Sequence, residues 1–475
     1  MKLALCAVLP LAAGLVNPTL NRFSRKVRMI FACAVAAATS LCVFAALIWG
    51  GSQTFVLFRV SDIFVCEFGC DGLSRVFITL AAFLWPFAMV YATEYMEHES
   101  REGQFFTFYI LAYAVTILLA ASANAFTMYI FYECLTLITL PLVEHEQNKD
   151  SYRAGRSYLV YLIGGASLGF ASMVITGVCT GGAAFTVGGA AISGVTLAHI
   201  AFILGFIGFG AKAAIFPLCG WLPKASVAPT PVTALLHAVA VVNAGVFAVV
   251  RETYFVFDLN QLTGSWAQYA ALALSGFTIA YGAIRAARCV HFKRRLAWST
   301  VSNLSYMLFA CALMTDAGFT GALAHMVFHG LIKIVLFFCA GAVMIKTGHS
   351  YIYETRGLAS KMPVTFAAFT VAGLALIGVP PLCGFTSKLL IITAAFNNGS
   401  VFGMFGAVCL IISAILTAVY IMSIVLPAYF IKSPGENTDP GIRIKAVLIM
   451  LCAAIIIVSA FGGKLTGLLQ AIICA

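Results

Sequence analysis

Charge is scarce in this sequence. Of its 475 residues only 9% are Asp, Glu, Lys or Arg, while 62% are hydrophobic and the mean hydropathy is +1.01. A soluble domain of that composition could not hydrate its surface, so a polytopic all-α membrane protein is implied. Paired cysteine ligands are missing as well. The 15 cysteines are scattered singly through apolar runs, no CxxC pair occurs, and the closest spacing is Cys66 to Cys70. Single cysteines in a helical core act as small hydrophobes, so neither a metal site nor a redox-catalytic centre is expected in this chain. A phosphate cradle is absent too. The Gly-rich segment 180–194 follows no strand and lacks a P-loop lysine or serine, and it reads as a flexible outer loop. Acids are outnumbered, 17 against 28 Lys and Arg. The resulting +11 does not point to nucleic acid, because nearly all the cations fall in short loops between apolar runs, where topogenesis explains them.

What fills the sequence is apolar runs, roughly fourteen of them at about twenty residues each. Their limits are 2–17, 29–50, 72–93, 104–121, 124–143, 156–179, 199–222, 230–251, 266–285, 296–314, 319–345, 363–396, 403–430 and 444–462. The first lacks a cleavage site and is followed by NRFSRKVR, so it reads as a retained span rather than a signal peptide. Loops after odd-numbered spans carry Arg22, Arg25, Lys26 and Arg28, then Arg101, then Lys149, Arg153 and Arg156, then Lys224. Arg285, Arg288, Lys293, Arg294 and Arg295 follow, then Lys346, Arg356 and Lys361, and finally Lys432, Arg443 and Lys445. Even-numbered loops offer only Arg59 and Arg251. The bias places the odd loops in the cytoplasm and both termini on the outer side of the plasma membrane.

Two spans are interrupted. In GAKAAIFPLCGWLPK, Lys212 stands where hydrocarbon should be, and Pro217 with Gly220 breaks the helix just beyond it. In LIGVPPLCGFTSK, Pro380 and Pro381 break a second helix and Lys388 follows. A cation at mid-membrane costs roughly 3 kcal/mol or more, so such lysines face a polar interior. The breaks fall in the seventh and twelfth spans. An odd separation means opposite directions of crossing, the signature of inverted repeats with a transport site between them. The expected divisions are 1–103, a first five-helix unit 104–256, a second 257–431, and a last helix 432–475.

Other ionisable residues join these lysines. Glu133 is the only acid of the fifth span, and Lys212 is its natural partner. His237 lies just past the first break. His325, His329 and Lys333 recur every fourth residue, which puts three titratable groups on one helical face over about 12 Å. In order, Glu133, Lys212, His237, His325, His329, Lys333 and Lys388 suggest a proton line in the membrane plane. Ser299, Thr300, Ser302, Ser305 and Tyr306 are candidates to wet its half-channels. Asp71 and Arg75, one turn apart, read as an interfacial ion pair.

FPLCGWLPKASVAPTPVTALLHA, RRLAWSTVSNLSYM, HMVFHGLIKIVLFFCAG, GVPPLCGFTSK and the DGLS at Asp71 resemble the antiporter-like membrane subunits of complex I, Mrp cation/proton antiporters and energy-converting membrane hydrogenases. The resemblance covers about 71–430. It implies a linking role for His237 and an exit role for Lys388. Asn243 stands where many relatives of the Mrp and hydrogenase type have lysine, and the sequence ends soon after the last span, as in the medium-sized members. By resemblance, the chain is a proton (or Na+/H+) translocating, non-redox subunit of a bacterial or archaeal oxidoreductase complex. Fe-S, flavin or Ni-Fe centres belong to its partners, which are peripheral redox subunits, other antiporter-like subunits and small membrane subunits. The rival expectations are an Mrp-type secondary antiporter subunit, an inorganic-carbon uptake subunit of the same fold, or a structural spacer.

Overall fold

In lipid the backbone has no water to bond, so long apolar runs close their hydrogen bonds internally as helices. A computed structural model describes residues 2–49, 51, 54–182, 184–431 and 438–472. Among these residues, eleven helices are long and apolar enough to cross a membrane. They are α1 Lys2–Leu20, α2 Arg25–Trp49, α3 Gly72–Tyr95, α4 Glu102–Ala120, α5 Ala125–Val143, α6 Lys149–Thr180, α8 Thr230–Val256, α9 Trp266–Arg288, α11 Asp316–Thr347, α14 Val401–Phe430 and α15 Ile442–Ala460. Between them lie α7 Val195–Gly210, α10 Phe292–Ala312, α12 Pro363–Ile377 and α13 Cys383–Asn398, and α16 Gly462–Ala471 follows α15. Starts are set by side-chain caps. Asp71 accepts the amide of Ser74 at 2.9 Å, Asn124 that of Thr127 at 2.8 Å, and Thr315 that of Gly318 at 3.1 Å.

Both expected interruptions are present. α7 stops at Gly210, and the chain resumes as a short helix only at Trp221–Lys224. α12 stops at Ile377 and α13 begins at Cys383. α8 is buried along its whole length and α11 nearly so, whereas α1, α2 and α15 leave most of their surface outward. α11 packs against α10, α12, α13 and α15, and so forms the axle of the molecule.

Five expectations change. Residues 51–71, read only as a loop, contain an antiparallel hairpin of β1 Phe55–Arg59 and β2 Val65–Phe68. The segment 180–194 is not loose. Thr186, Gly188 and Ala190 donate backbone bonds of 3.0–3.2 Å to Phe255, Tyr254 and Val256 at the end of α8. Asp71 does not pair with Arg75, which lies exposed. It pairs instead with Arg251, whose Nη2 donates to Asp71 Oδ1 at 2.6 Å and to Ser74 Oγ at 2.9 Å. Arg251 is therefore no loop charge. It is 1% exposed inside α8 and needs an acid from α3, because a buried guanidinium left unpaired is costly. Lys293 and Arg295 are likewise buried in α10 rather than free in a loop. Lys432 and Cys474 lie outside the described residues. The cysteines among the described residues are all free.

Candidate ion pathway

The first break frees carbonyls at membrane depth, and specific donors meet them. Trp221 Nε1 donates to Ala211 O at 2.9 Å, and Tyr132 Oη donates to Phe209 O at 2.9 Å. Within this turn Ala214 takes a left-handed φ of +55°. Lys212 is wholly buried. Its Nζ donates to the carbonyl of Tyr132 and lies 3.4 Å from the centroid of that tyrosine's ring. α8 presses close here. A Cβ on Gly245 would overlap Ala213 N and Lys212, so only glycine fits against the lysine turn.

Glu133, the next residue after the carbonyl that Lys212 holds, is half-buried, and its Oε1 meets no partner. Each of these two groups acts electrostatically on the other. The expected ion pair is nevertheless open: among the described residues no direct bridge joins them.

His237 sits in a π-helical turn, Leu235–Val239, within α8. The wider turn leaves the Ala238 carbonyl free of a regular helical donor, and Asn243 Nδ2 fills that role at 2.8 Å. Asn243 therefore clasps the widened turn through a backbone carbonyl. Both ring nitrogens of His237 lack partners, and its ring lies 4.7 Å from that of Phe337 on α11. The α11 backbone passes over this turn. A Cβ on Gly330 would come within 2.8 Å of Ala238 O.

His325, His329 and Lys333 all lie buried on α11. His325 is held at both nitrogens, by Ser387 Oγ at 2.9 Å and Asn303 Oδ1 at 3.2 Å. Its ring centroid is 5.8 Å from that of His329, whose two nitrogens are unpartnered. Lys333 Nζ donates to Leu296 O at 3.0 Å and to Ser299 Oγ. Lys388 answers the second break. Its Nζ donates to Leu376 O at 2.7 Å and Ile377 O at 3.0 Å, the carbonyls that α12 exposes by stopping, and it lies 5.5 Å from the Tyr306 ring centroid.

Of the hydroxyls proposed to wet the line, Ser299 touches Lys333. Tyr306 and Ser302 converge on Ser413 Oγ at 2.7 and 2.8 Å. Thr300 and Ser305 bond only to their own helix, at Leu296 O and Val301 O. Sequence reasoning missed Tyr132, Asn303, Ser387 and Ser413. It also missed Glu252, a carboxyl 3% exposed at the end of α8 that accepts from Ser172 at 2.6 Å and leaves Oε2 unpartnered. An acid directly after the last apolar residues of a span was the available signal for Glu252. The others are polar residues on faces whose partners lie far along the chain. Among the described residues no group of three or more His, Cys, Asp or Glu is placed to hold a metal.

Residues 122–417 match the family described as NADH:quinone oxidoreductase/Mrp antiporter, transmembrane. NADH-quinone oxidoreductase subunit N of Desulforudis audaxviator is 30% identical over 92% of this chain and 90% of that protein. Subunit L of Mycobacterium tuberculosis is 32% identical over 85% of this chain, which spans only 64% of that longer protein. Among solved structures, a chain of the archaeal membrane-bound sulfane sulfur reductase superposes with a TM-score of 0.86 at 21% identity, covering 99% of this chain and 96% of the other. With its interrupted helices, its buried lysines and a family match over most of its length, this multi-pass membrane chain belongs to the antiporter-like transmembrane family of NADH:quinone oxidoreductases and Mrp antiporters.

Proposed function

We propose that the chain translocates protons, or exchanges Na+ for protons, as the non-redox membrane subunit of a redox-driven complex. The observation that carries this reading is a run of buried bases, none of them hydrogen-bonded to an acid among the described residues. Lys212, His237, His325, His329, Lys333 and Lys388 are each no more than 5% exposed, and their hydrogen-bond partners are carbonyls, hydroxyls and one amide oxygen. At low dielectric, adjacent like charges repel by several kcal/mol, so such a line is most stable with fewer protons than sites. Vacant sites next to filled ones are what a relay requires. The buried α8 and the largely buried α11 keep lipid away from it.

In this reading the open Glu133–Lys212 arrangement is one of two states. Closing the pair favours a proton on Lys212, and opening it drives that proton by way of His237 to Lys333 and Lys388. Driving one proton against 100 mV requires about 2.3 kcal/mol, a step that repositioning one buried charge pair can supply. The fold reads as fourteen crossings in two inverted units, 104–256 and 257–431, each with one broken helix. The odd loops face the cytoplasm. Redox centres reside in partner subunits. Lys212→Ala is expected to abolish proton uptake in vesicles while the complex still assembles; uptake at the wild-type rate overturns the proposal.

The family description joins redox complexes to Mrp antiporters, and this favours one second reading, a subunit of a secondary antiporter. Mass spectrometry of the gently solubilised complex separates the two. Partners bearing flavin, iron–sulfur or nickel support the first, and their absence supports the second.

A further inference from the structure

The loop-side ends of α9 and α10 enclose a cavity of about 580 Å³ beside the first helix break. Lys224, Arg285, Arg288 and Arg294 converge on it, and Tyr281 and Trp298 form its aromatic wall. Among the described residues no acid lines it, and none of the four cations takes part in an ion pair. This sets it apart from its surroundings on the same side of the molecule. A neighbouring cavity places Glu99, Glu146 and Asp150 opposite Lys293 and Arg294, and Arg25 and Arg443 are both bridged to Glu97. Lys224, Arg285 and Arg288 have been brought together without a counter-charge, and Arg294 is shared with that neighbouring cavity.

The walls state what kind of anion fits. The Arg285 guanidinium lies 4.9 Å from the Trp298 ring centroid, which pre-orients its donor fork, and Tyr281 meets Trp298 edge-on at 5.7 Å. Arginine forks match phosphate oxygens two at a time. Along α9 one face then reads Phe277, Tyr281, Ile284, Arg285 and Arg288, running from apolar through amphipathic to basic toward the helix end. Phe277 is 45% exposed and Ile284 41% exposed, so the other helices of this chain leave much of this face open. A free phosphate would use the basic end alone. A phospholipid would use the whole stripe, with its acyl chains on Phe277 and Ile284 and its headgroup at the aromatic belt.

We propose that this cavity binds the phosphate headgroup of an anionic phospholipid, drawn from the leaflet that the charge bias assigns to the cytoplasmic side. The bound lipid would also fasten the first break. Phe216, in the turn after Lys212, packs on this stripe at 5.0 Å from Phe277 and 5.5 Å from Tyr281, and Gly220 and Lys224 line the cavity itself. A headgroup held by Lys224 and Arg285 thus ties the Trp221–Lys224 segment to α9. This site is separate from the buried line and does not depend on the direction or identity of the transported ion.

Native mass spectrometry of the detergent-purified complex tests it, with dioleoyl phosphatidylglycerol as probe and dioleoyl phosphatidylcholine as control. The wild-type complex is expected to retain phosphatidylglycerol in preference. Arg288→Gln with Arg294→Gln, and separately Lys224→Gln, should each weaken that retention by about tenfold or more, as expected for losing a charged hydrogen bond. Melting of the lipid-free variants should be unchanged, and Arg288→Lys should restore part of the binding. Equal retention by wild type and variants overturns the proposal. So does stabilisation of the lipid-free protein by inorganic phosphate that phosphatidylglycerol does not exceed, because the occupant is then a free anion. Cross-linking of Lys224 to an acidic segment of a co-purified subunit, with no lipid retained, also overturns it.

Discussion

Substituting His329 with leucine separates a proton relay from a merely packed helix. Neither ring nitrogen of His329 bonds another side chain or carbonyl among the described residues, so the change breaks no hydrogen bond within the protein, and leucine nearly fills the same volume. Stability should shift by less than about 1.5 kcal/mol, as for other volume-conserving core exchanges. The consequence for transport is far larger. With His329 present, His325, His329 and Lys333 follow one another at about 6 Å per helical turn; without it the gap is about 12 Å along α11. A charge carried past the leucine meets an apolar site at a cost of roughly 3 kcal/mol, which slows the step by about two orders of magnitude. Dye-quench measurements of proton uptake in inverted vesicles, taken beside the turnover of the assembled complex, read this directly. A normal melting curve with uptake reduced about 100-fold is expected. Uptake at the wild-type rate would refute the relay and leave His329 as packing.

Other substitutions report on other parts of the molecule. His325→Ala should lower stability by about 1–3 kcal/mol, because it removes two buried hydrogen bonds and leaves Asn303 Oδ1 without its partner, and the difference from His329→Leu is measurable by thermal unfolding. Asp71→Ala leaves Arg251 buried without its acid and should cost about 2–3 kcal/mol, whereas Arg75→Ala should be silent in the same assay. Gly245→Ala forces a methyl into the Lys212 turn. A loss of about 1–3 kcal/mol with impaired proton uptake is expected, whereas a fully active variant would contradict the close approach. Glu97 gives a pH dependence. Burial alone would raise its carboxyl, but Arg443 and Arg25 outweigh it and hold the group below the ordinary glutamate range. The clamp joining α2 and α15 to the end of α3 is therefore at full strength above the unfolded glutamate value and weakens as pH falls through the lower folded one. Glu97→Gln should remove that acid-side slope from a pH titration of unfolding.

The breaks were legible because proline and a stranded lysine act locally. Pro217 and Pro380–Pro381 mark where a helix must stop, and Lys212 and Lys388 mark where its carbonyls are met. The stripe on α11 was legible because helical spacing alone puts every fourth residue on one face. What was not legible depends on residues distant in the chain. Arg251 reads as a span-end charge until α3 brings Asp71 to it across 180 positions of sequence. The clasp on His325 comes from α10 and α13, so neither Asn303 nor Ser387 has a local pattern to announce it. The π turn at His237 shows only once Asn243 is seen bonding Ala238. The hairpin at 55–68 alternates too weakly to stand out between apolar spans. Its short strands gain their place from Asn124 and Thr127 of α5, which bond Val65 and Glu67.

A density map of the complex in lipid, sharp enough to place ordered water, tests the central claim most directly. Water is expected in unbroken hydrogen-bonded contact with the bare nitrogens of His237 and His329, reaching Lys333 on one side and the Glu133–Lys212 turn on the other. A dry, apolar gap between any two of these residues in every state of the complex would mean that the buried bases are isolated, and that protons do not travel through this chain.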